Sequence, residues 1–167
     1  MTTSTLPATE LPIPDLDWSA ASYKGHDTSD GVAYVASLRR NGKKVANVEH
    51  DGRGGVPMLY WAPNTQEHRD AWNQWVADYR SLHPKDAAYE PESVAIESLI
   101  SEHQVAAMLR RSARRSTPVL RPGENILASE GYTLIRGVAD SPQVQGYLRN
   151  QTNEFDRFWD GSTWVKL

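Results

Sequence analysis

Asp51-Gly52-Arg53-Gly54-Gly55 is the stretch whose residue types most directly suggest chemistry. Glycines let successive backbone N–H groups point into one concavity, and such a nest can hold an anion. Arg53 would add positive charge, so Gly52, Arg53, Gly54 and Gly55 form a candidate anion-binding loop. The loop lacks the Gly-Lys-Ser/Thr ending of a P-loop, and a strand rather than a helix is expected after it. The competing reading is a turn or bulge between strands. His26-Asp27, Asp30 and Glu49-His50-Asp51 carry metal-ligand chemistry, but their spacing fixes no coordination geometry. They read as solvated turn residues, and no metal site is assigned. There is no Gly-x-Ser-x-Gly elbow and no Gly-x-Gly-x-x-Gly fingerprint. The carboxylates are scattered, so no acid/base pair stands out. No catalytic residue and no cofactor is assigned, and the reading leans away from an enzyme.

The basic residues are more suggestive. Eight of the 18 Lys and Arg fall in two windows: Arg39, Arg40, Lys43 and Lys44, then Arg110, Arg111, Arg114 and Arg115. If the windows converge, they form a cationic patch on a chain of net charge -3, suited to phosphates or to an acidic protein face. Otherwise they are the solubilising charges of a hairpin tip and a helix C-terminus. Six Trp and seven Tyr against two Phe supply side chains that serve cores and recognition surfaces alike. The aromatics Phe155, Phe158, Trp159 and Trp164 either complete the core or present a docking surface, with core completion favoured.

These residues need elements to position them. Asn41-Gly42 predicts a two-residue hairpin turn, because both residues tolerate positive φ. The strands run over 32–38 and 43–49, with Leu38 opposite Val45 and Val35 opposite Val48. Further strands are expected over 18–23 and 58–61. Trp72, Trp75, Val76, Tyr79 and Leu82 recur at helical spacing, after a cap at Asn64 or Thr65 and before His83-Pro84. That stripe should cover one face of the sheet. A second helix starts near Pro91 and runs toward Ser116, with a break possible at 101–104. Short strands at 119–121 and 132–136 follow, then a helix capped by Asp140 or Ser141 and ending near Arg149. The expected fold is α+β, an antiparallel sheet of three to five strands packed against two longer helices, with a shorter C-terminal helix. Residues 1–16, rich in Thr and Pro, read as a flexible arm, and 17–167 as one domain.

The absence of cysteine excludes disulfides, thiolate metal sites and a cysteine nucleophile. No segment is apolar for long enough to cross a bilayer, and residues 1–16 lack the pattern of a secretory leader. A cytoplasmic protein without a membrane partner is expected. Nothing in the pattern sets an oligomeric state.

Gly31-Val32-Ala33-Tyr34, Leu38, Asn41-Gly42-Lys43-Lys44-Val45 and Asp51-Gly52-Arg53-Gly54-Gly55 together resemble the opening of a group of small uncharacterised bacteriophage and prophage proteins. In that group an Asp/Asn-Gly-Lys-Lys-Val hairpin leads into an Asp-Gly-x-Gly-Gly loop. Val119-Leu120-Arg121, 132–136 and Ser141-Pro142-Gln143-Val144 are similar to the group's closing module, although Pro122-Gly123-Glu124 and a longer connection depart from it. The resemblance implies a phage or prophage origin and transfers no activity. The expected function is a non-enzymatic accessory protein that binds a host or phage macromolecule, most readily a protein. Two alternatives stand beside it: a nucleic-acid-binding module using the basic windows, and an enzyme or small-ligand sensor at the glycine loop.

Overall fold

The computed structural model describes residues 3–128 and 131–167. The structure is α+β, with three helices and three antiparallel sheets among the described residues. The chain forms two compact units: residues 3–6 with Leu11–His103, and Pro7–Glu10 with Gln104–Leu167.

The first unit opens with β1 (Ser4–Thr5) paired to β2 (Pro12–Ile13). β3 (Trp18–Asp27), β4 (Val32–Arg40), β5 (Lys43–Asp51) and β6 (Met58–Trp61) then form a four-stranded antiparallel sheet in chain order. Asn41 and Gly42 both take positive φ, 50° and 77°, and make the expected tight turn. Arg40 pairs with Lys43 and Arg39 with Lys44, but Leu38 then pairs with Ala46. Val45 is thus the extra residue of a β-bulge, and Val35 faces Glu49 instead of Val48. The bulge places Val45 and Ala46 in the core together, at 1% exposure each, where a regular ladder would turn one of them outward.

Helix α1 (Gln66–Leu82) follows β6 and stops at His83, ahead of Pro84. Its buried face is the predicted stripe of Trp72, Trp75, Val76 and Tyr79, packed in one cluster with Leu38, Val45 and Val48 of the sheet. The side chains at 72, 75, 79 and 83 lie one above another, as residues three and four apart do on a helix. Trp18 meets Trp72 edge-on at 4.9 Å. Trp72 stacks on Trp75 at 5.4 Å, Trp75 on Tyr79 at 5.5 Å, and Tyr79 on His83 at 4.3 Å. Helix α2 (Pro91–Ser112) is unbroken through 101–104. In the first unit it is fastened to α1 twice. Trp72 Nε1 donates to Glu92 Oε1 (2.8 Å), and the Tyr79 and Ser98 hydroxyls share a buried hydrogen bond (2.7 Å).

The segment expected as a flexible arm belongs to the fold instead, although residues 1–2 lie outside the described residues. Leu6 and Ile13 are buried in the first unit's core, and Ala8 in the second's. A two-stranded pairing has only edges, so Pro12 withholds no central-strand donor. The His83 ring donates from Nε2 to the Pro12 carbonyl (2.7 Å), tying β2 to the end of the aromatic row.

In the second unit β7 (Ser116–Leu120) pairs with β8 (Thr133–Arg136). After α3 (Pro142–Arg149) come β9 (Arg157–Trp159) and β10 (Trp164–Lys166), giving the sheet order β10-β9-β7-β8. Pro118 is tolerated because pairing with β9 begins only at Val119. Ser141 Oγ caps α3 by accepting the Val144 amide (3.3 Å), with Pro142 in the first turn. The C-terminal aromatics complete the core: Phe155, Trp159 and Trp164 are buried. Trp164 Nε1 donates to the Ala8 carbonyl (2.8 Å). Arg157 donates to Glu10, Asp156 and the Glu124 carbonyl, so one guanidinium holds the 7–10 loop to β9.

Trp72→Ala should lower unfolding free energy by about 3–5 kcal/mol in urea titration, because it empties the centre of the aromatic row. A loss below about 1 kcal/mol would show that the row does not organise the core.

Candidate functional site

The two helices of the first unit cover only the inner face of its sheet. Side chains alternate across a strand, so the other set of residues points outward. Pairing register places them in rows. Lys24, Val35, Glu49 and Met58 lie side by side across all four strands. On one side of this row come His26, Ala33 and Asp51. On the other come Ser37, Asn47 and Tyr60, and beyond them Arg39 and Lys44.

This outer face is hollowed. One shallow cavity of about 670 Å³ spans His26, Ala33, Glu49, Asp51, Met58 and Tyr60, with small Ala33 and Gly25 in its lining. A second, of about 330 Å³, lies between Ser22, Ser37, Arg39, Lys44 and Asn47. Lys24, Val35 and Glu49 line both, so the two hollows adjoin along the strands. Apolar side chains stand open to solvent here: Val35 at 46%, Met58 at 55% and Tyr60 at 51% exposure. Among the described residues, Lys24, Arg39, Lys44, Glu49 and Asp51 enter no ion pair. The Arg39 Nε is shielded from solvent and has no hydrogen-bond partner.

The first basic window is therefore split between two faces. Arg39 and Lys44 share the outer face, whereas Arg40 turns inward. Its guanidinium lies 5.7 Å from the Trp18 ring centre, donates to His68 Nδ1 (3.3 Å) and reaches Glu67 (3.7 Å). Its charge is used inside the fold, and Lys43 stands opposite it in the ladder. The second window lies in the other unit. Arg110, Arg111, Arg114 and Arg115 are all exposed around the end of α2, where Arg110 Nε donates back to the Ala106 carbonyl (3.1 Å).

The glycine loop satisfies much of itself. His50 Nδ1 lies 3.0 Å from the Gly52 amide and 3.2 Å from the Val32 carbonyl, while the opposite ring nitrogen, Nε2, carries a proton toward the loop. That Nε2–H donates to the Gly55 carbonyl (2.8 Å), bracing the loop from within. The Arg53 amide donates to Asp51 Oδ1 (3.0 Å), which gives the loop an anion of its own. Gly52 has φ 75°, and a Cβ there would come within 2.7 Å of the Ala33 amide nitrogen. Its glycine is needed for close backbone approach and left-handed geometry. Arg53, Gly54 and Gly55 are exposed beside the larger hollow.

His50 also stacks on Tyr34 (5.1 Å, 7° between planes), and Tyr34 leans on Tyr23 (5.5 Å). The Tyr34 hydroxyl is buried and has no hydrogen-bond partner among the described residues. Burial, reinforced by the Glu97 carboxylate and by Tyr23, pushes its pKa up to about 12. Of the acidic and histidine residues weighed as ligands, His26 and Asp51 share a row with Ala33 between them, whereas His50 is engaged by the loop. Among the described residues no group of three or more such side chains is set to hold a metal ion. No helix among them is long and apolar enough to cross a membrane.

Comparison of the chain with protein-family models, curated proteins and solved structures returns no match. The outer face was not legible as a site from sequence. Its residues come from four strands, and only their register brings them together. The available signal was the alternation that sets Val35, Glu49, Met58 and Tyr60 on outward positions.

Because the Tyr34 pKa is raised on folding, the neutral phenol is the form the fold favours. Its contribution should be intact below pH 10 and lost as pH rises through about 12. Denaturant titrations across that window should show stability falling, and Tyr34→Phe should flatten the fall. An unchanged slope in the variant would remove Tyr34 as its source.

Proposed function

We propose that this chain is a non-enzymatic binding protein that docks a protein partner on the outer face of its first sheet. The observation that carries the reading is an uncovered face where Val35, Met58 and Tyr60 stand among charges with no internal ion-pair partner. Exposed apolar area rimmed by charge is typical of interaction surfaces. Five of the six tryptophans, Trp18, Trp72, Trp75, Trp159 and Trp164, are buried, so the recognition aromatic offered is Tyr60. The shallow hollows suit side chains of a partner better than a closed reaction centre, and no paired acid and base supports catalysis. The resemblance to phage and prophage proteins favours a host or phage protein as that partner, met in the host cytoplasm.

Nucleic acid remains the second reading. It is favoured by Arg110, Arg111, Arg114 and Arg115, which are exposed and in no ion pair among the described residues. Binding there would weaken steeply with salt, because released counterions drive it.

The test places a photoreactive phenylalanine at Met58 and, as control, at exposed Asn73 on α1. Irradiation in lysate of the producing cell should give one discrete protein adduct from position 58 and none from 73. That adduct should survive nuclease and disappear on Val35→Asp. Equal labelling from both positions would contradict docking on this face. Adducts that vanish with nuclease would favour the arginine surface.

A further inference from the structure

The outer face has charge order as well as apolar area. Glu49 and Asp51 sit beside Met58 and Tyr60 in the larger hollow. Arg39 and Lys44 stand beside Ser37 and Asn47 in the smaller one, whereas Lys24 shares the Glu49 row and both of these line both hollows. Val35 lines both hollows, and its side chain is nearly half exposed. The partner's chemistry can be read from this arrangement, given docking on the face.

A basic side chain fits the larger hollow. Its aliphatic stem can lie on Met58 and Tyr60 while its head meets Glu49 and Asp51. An acidic side chain fits the smaller one. A carboxylate there meets Arg39 and Lys44. Glu49 and Lys44 are separated along β5 by roughly 15 Å, at about 3.3 Å per residue with a bulge between. In an extended ligand, residues i and i+4 point to the same side and lie about 13 Å apart. Residue i+2 also points that way and would lie over Ser37 and Asn47, midway between the two charged rows.

From the charge order and this spacing we infer that the outer face binds an extended protein segment carrying opposite charges at i and i+4. Because such a segment can lie in either direction, basic-first and acidic-first sequences both fit. The inference rests on the docking reading and can fail without it.

The test uses the full chain and four short labelled peptides, read by fluorescence anisotropy at low salt. They carry Lys-x-Leu-x-Glu, Glu-x-Leu-x-Lys, Lys-x-Leu-x-Lys or Glu-x-Leu-x-Glu, with serine or threonine at x. Both opposite-charge peptides should bind about fivefold or more tightly than either like-charge peptide. The double variant Arg39→Glu, Lys44→Glu should reverse this and prefer Lys-x-Leu-x-Lys. Lys44 is exposed and Arg39 half-buried, and circular dichroism verifies that the variant is folded. Equal binding of all four peptides, or no reversal in the variant, overturns the charge-order inference. If crosslinking from position 58 still succeeds, docking on the face stands without it. If no peptide binds and position 58 yields no adduct, both fall.

Discussion

In the first unit the row Trp18, Trp72, Trp75, Tyr79 and His83 fixes where everything else can go. The four α1 and capping residues align only because they recur at spacings of three and four. Two of them are anchored at their edges as well as their faces: Trp72 is held by Glu92 and Tyr79 by Ser98. Large aromatics with satisfied polar tips can occupy one packing arrangement far better than its neighbours. Once α1 is locked to α2 in this way, the pair presents a single apolar surface. The sheet must meet it with Ala36, Leu38, Val45, Ala46 and Val48.

Consequences for the opposite face follow from strand geometry. If Tyr34, Ala36 and Leu38 face the helices, then Ala33, Val35 and Arg39 face away. The bulge at Val45 carries the same logic into β5, aligning Lys44 with Arg39 and Glu49 with Val35. A one-residue slip would have buried Glu49 and exposed Val48. The charge order of the outer face is thus a by-product of the register that the inner face demands. The same alternation separates Arg39 from its neighbour Arg40. It leaves one on the outer face and sends the other to Trp18, His68 and Glu67.

Local rules made much of this readable in advance. Asn41-Gly42, the α1 stripe, Pro91, the Ser141-Pro142 cap and the strand over 58–61 each carry their signal within a few residues. What lay hidden was set by distant parts of the chain. Proline-rich 3–16 looked unable to order itself. It is built in because Ala8 accepts from Trp164 and Glu10 from Arg157, some 150 residues away. The bulge at Val45 was invisible because an unbroken Leu38–Val45 pairing satisfies the same apolar pattern. The basic windows looked continuous because spacing along a chain does not tell which face of a strand a residue takes. The division into two units was masked by α2, whose continuous helix runs through the boundary at His103.

The central claim is that the outer face is left open by the fold and is spare to its stability. The most direct measurement is the unfolding free energy of the triple variant Val35→Thr, Met58→Thr, Tyr60→Thr, compared with the parent in urea. Threonine keeps strand propensity while removing apolar surface. The account predicts a change within about 1 kcal/mol, as for surface positions that touch nothing else. A loss of roughly 3 kcal/mol or more would contradict it, because that is the cost of stripping a buried core.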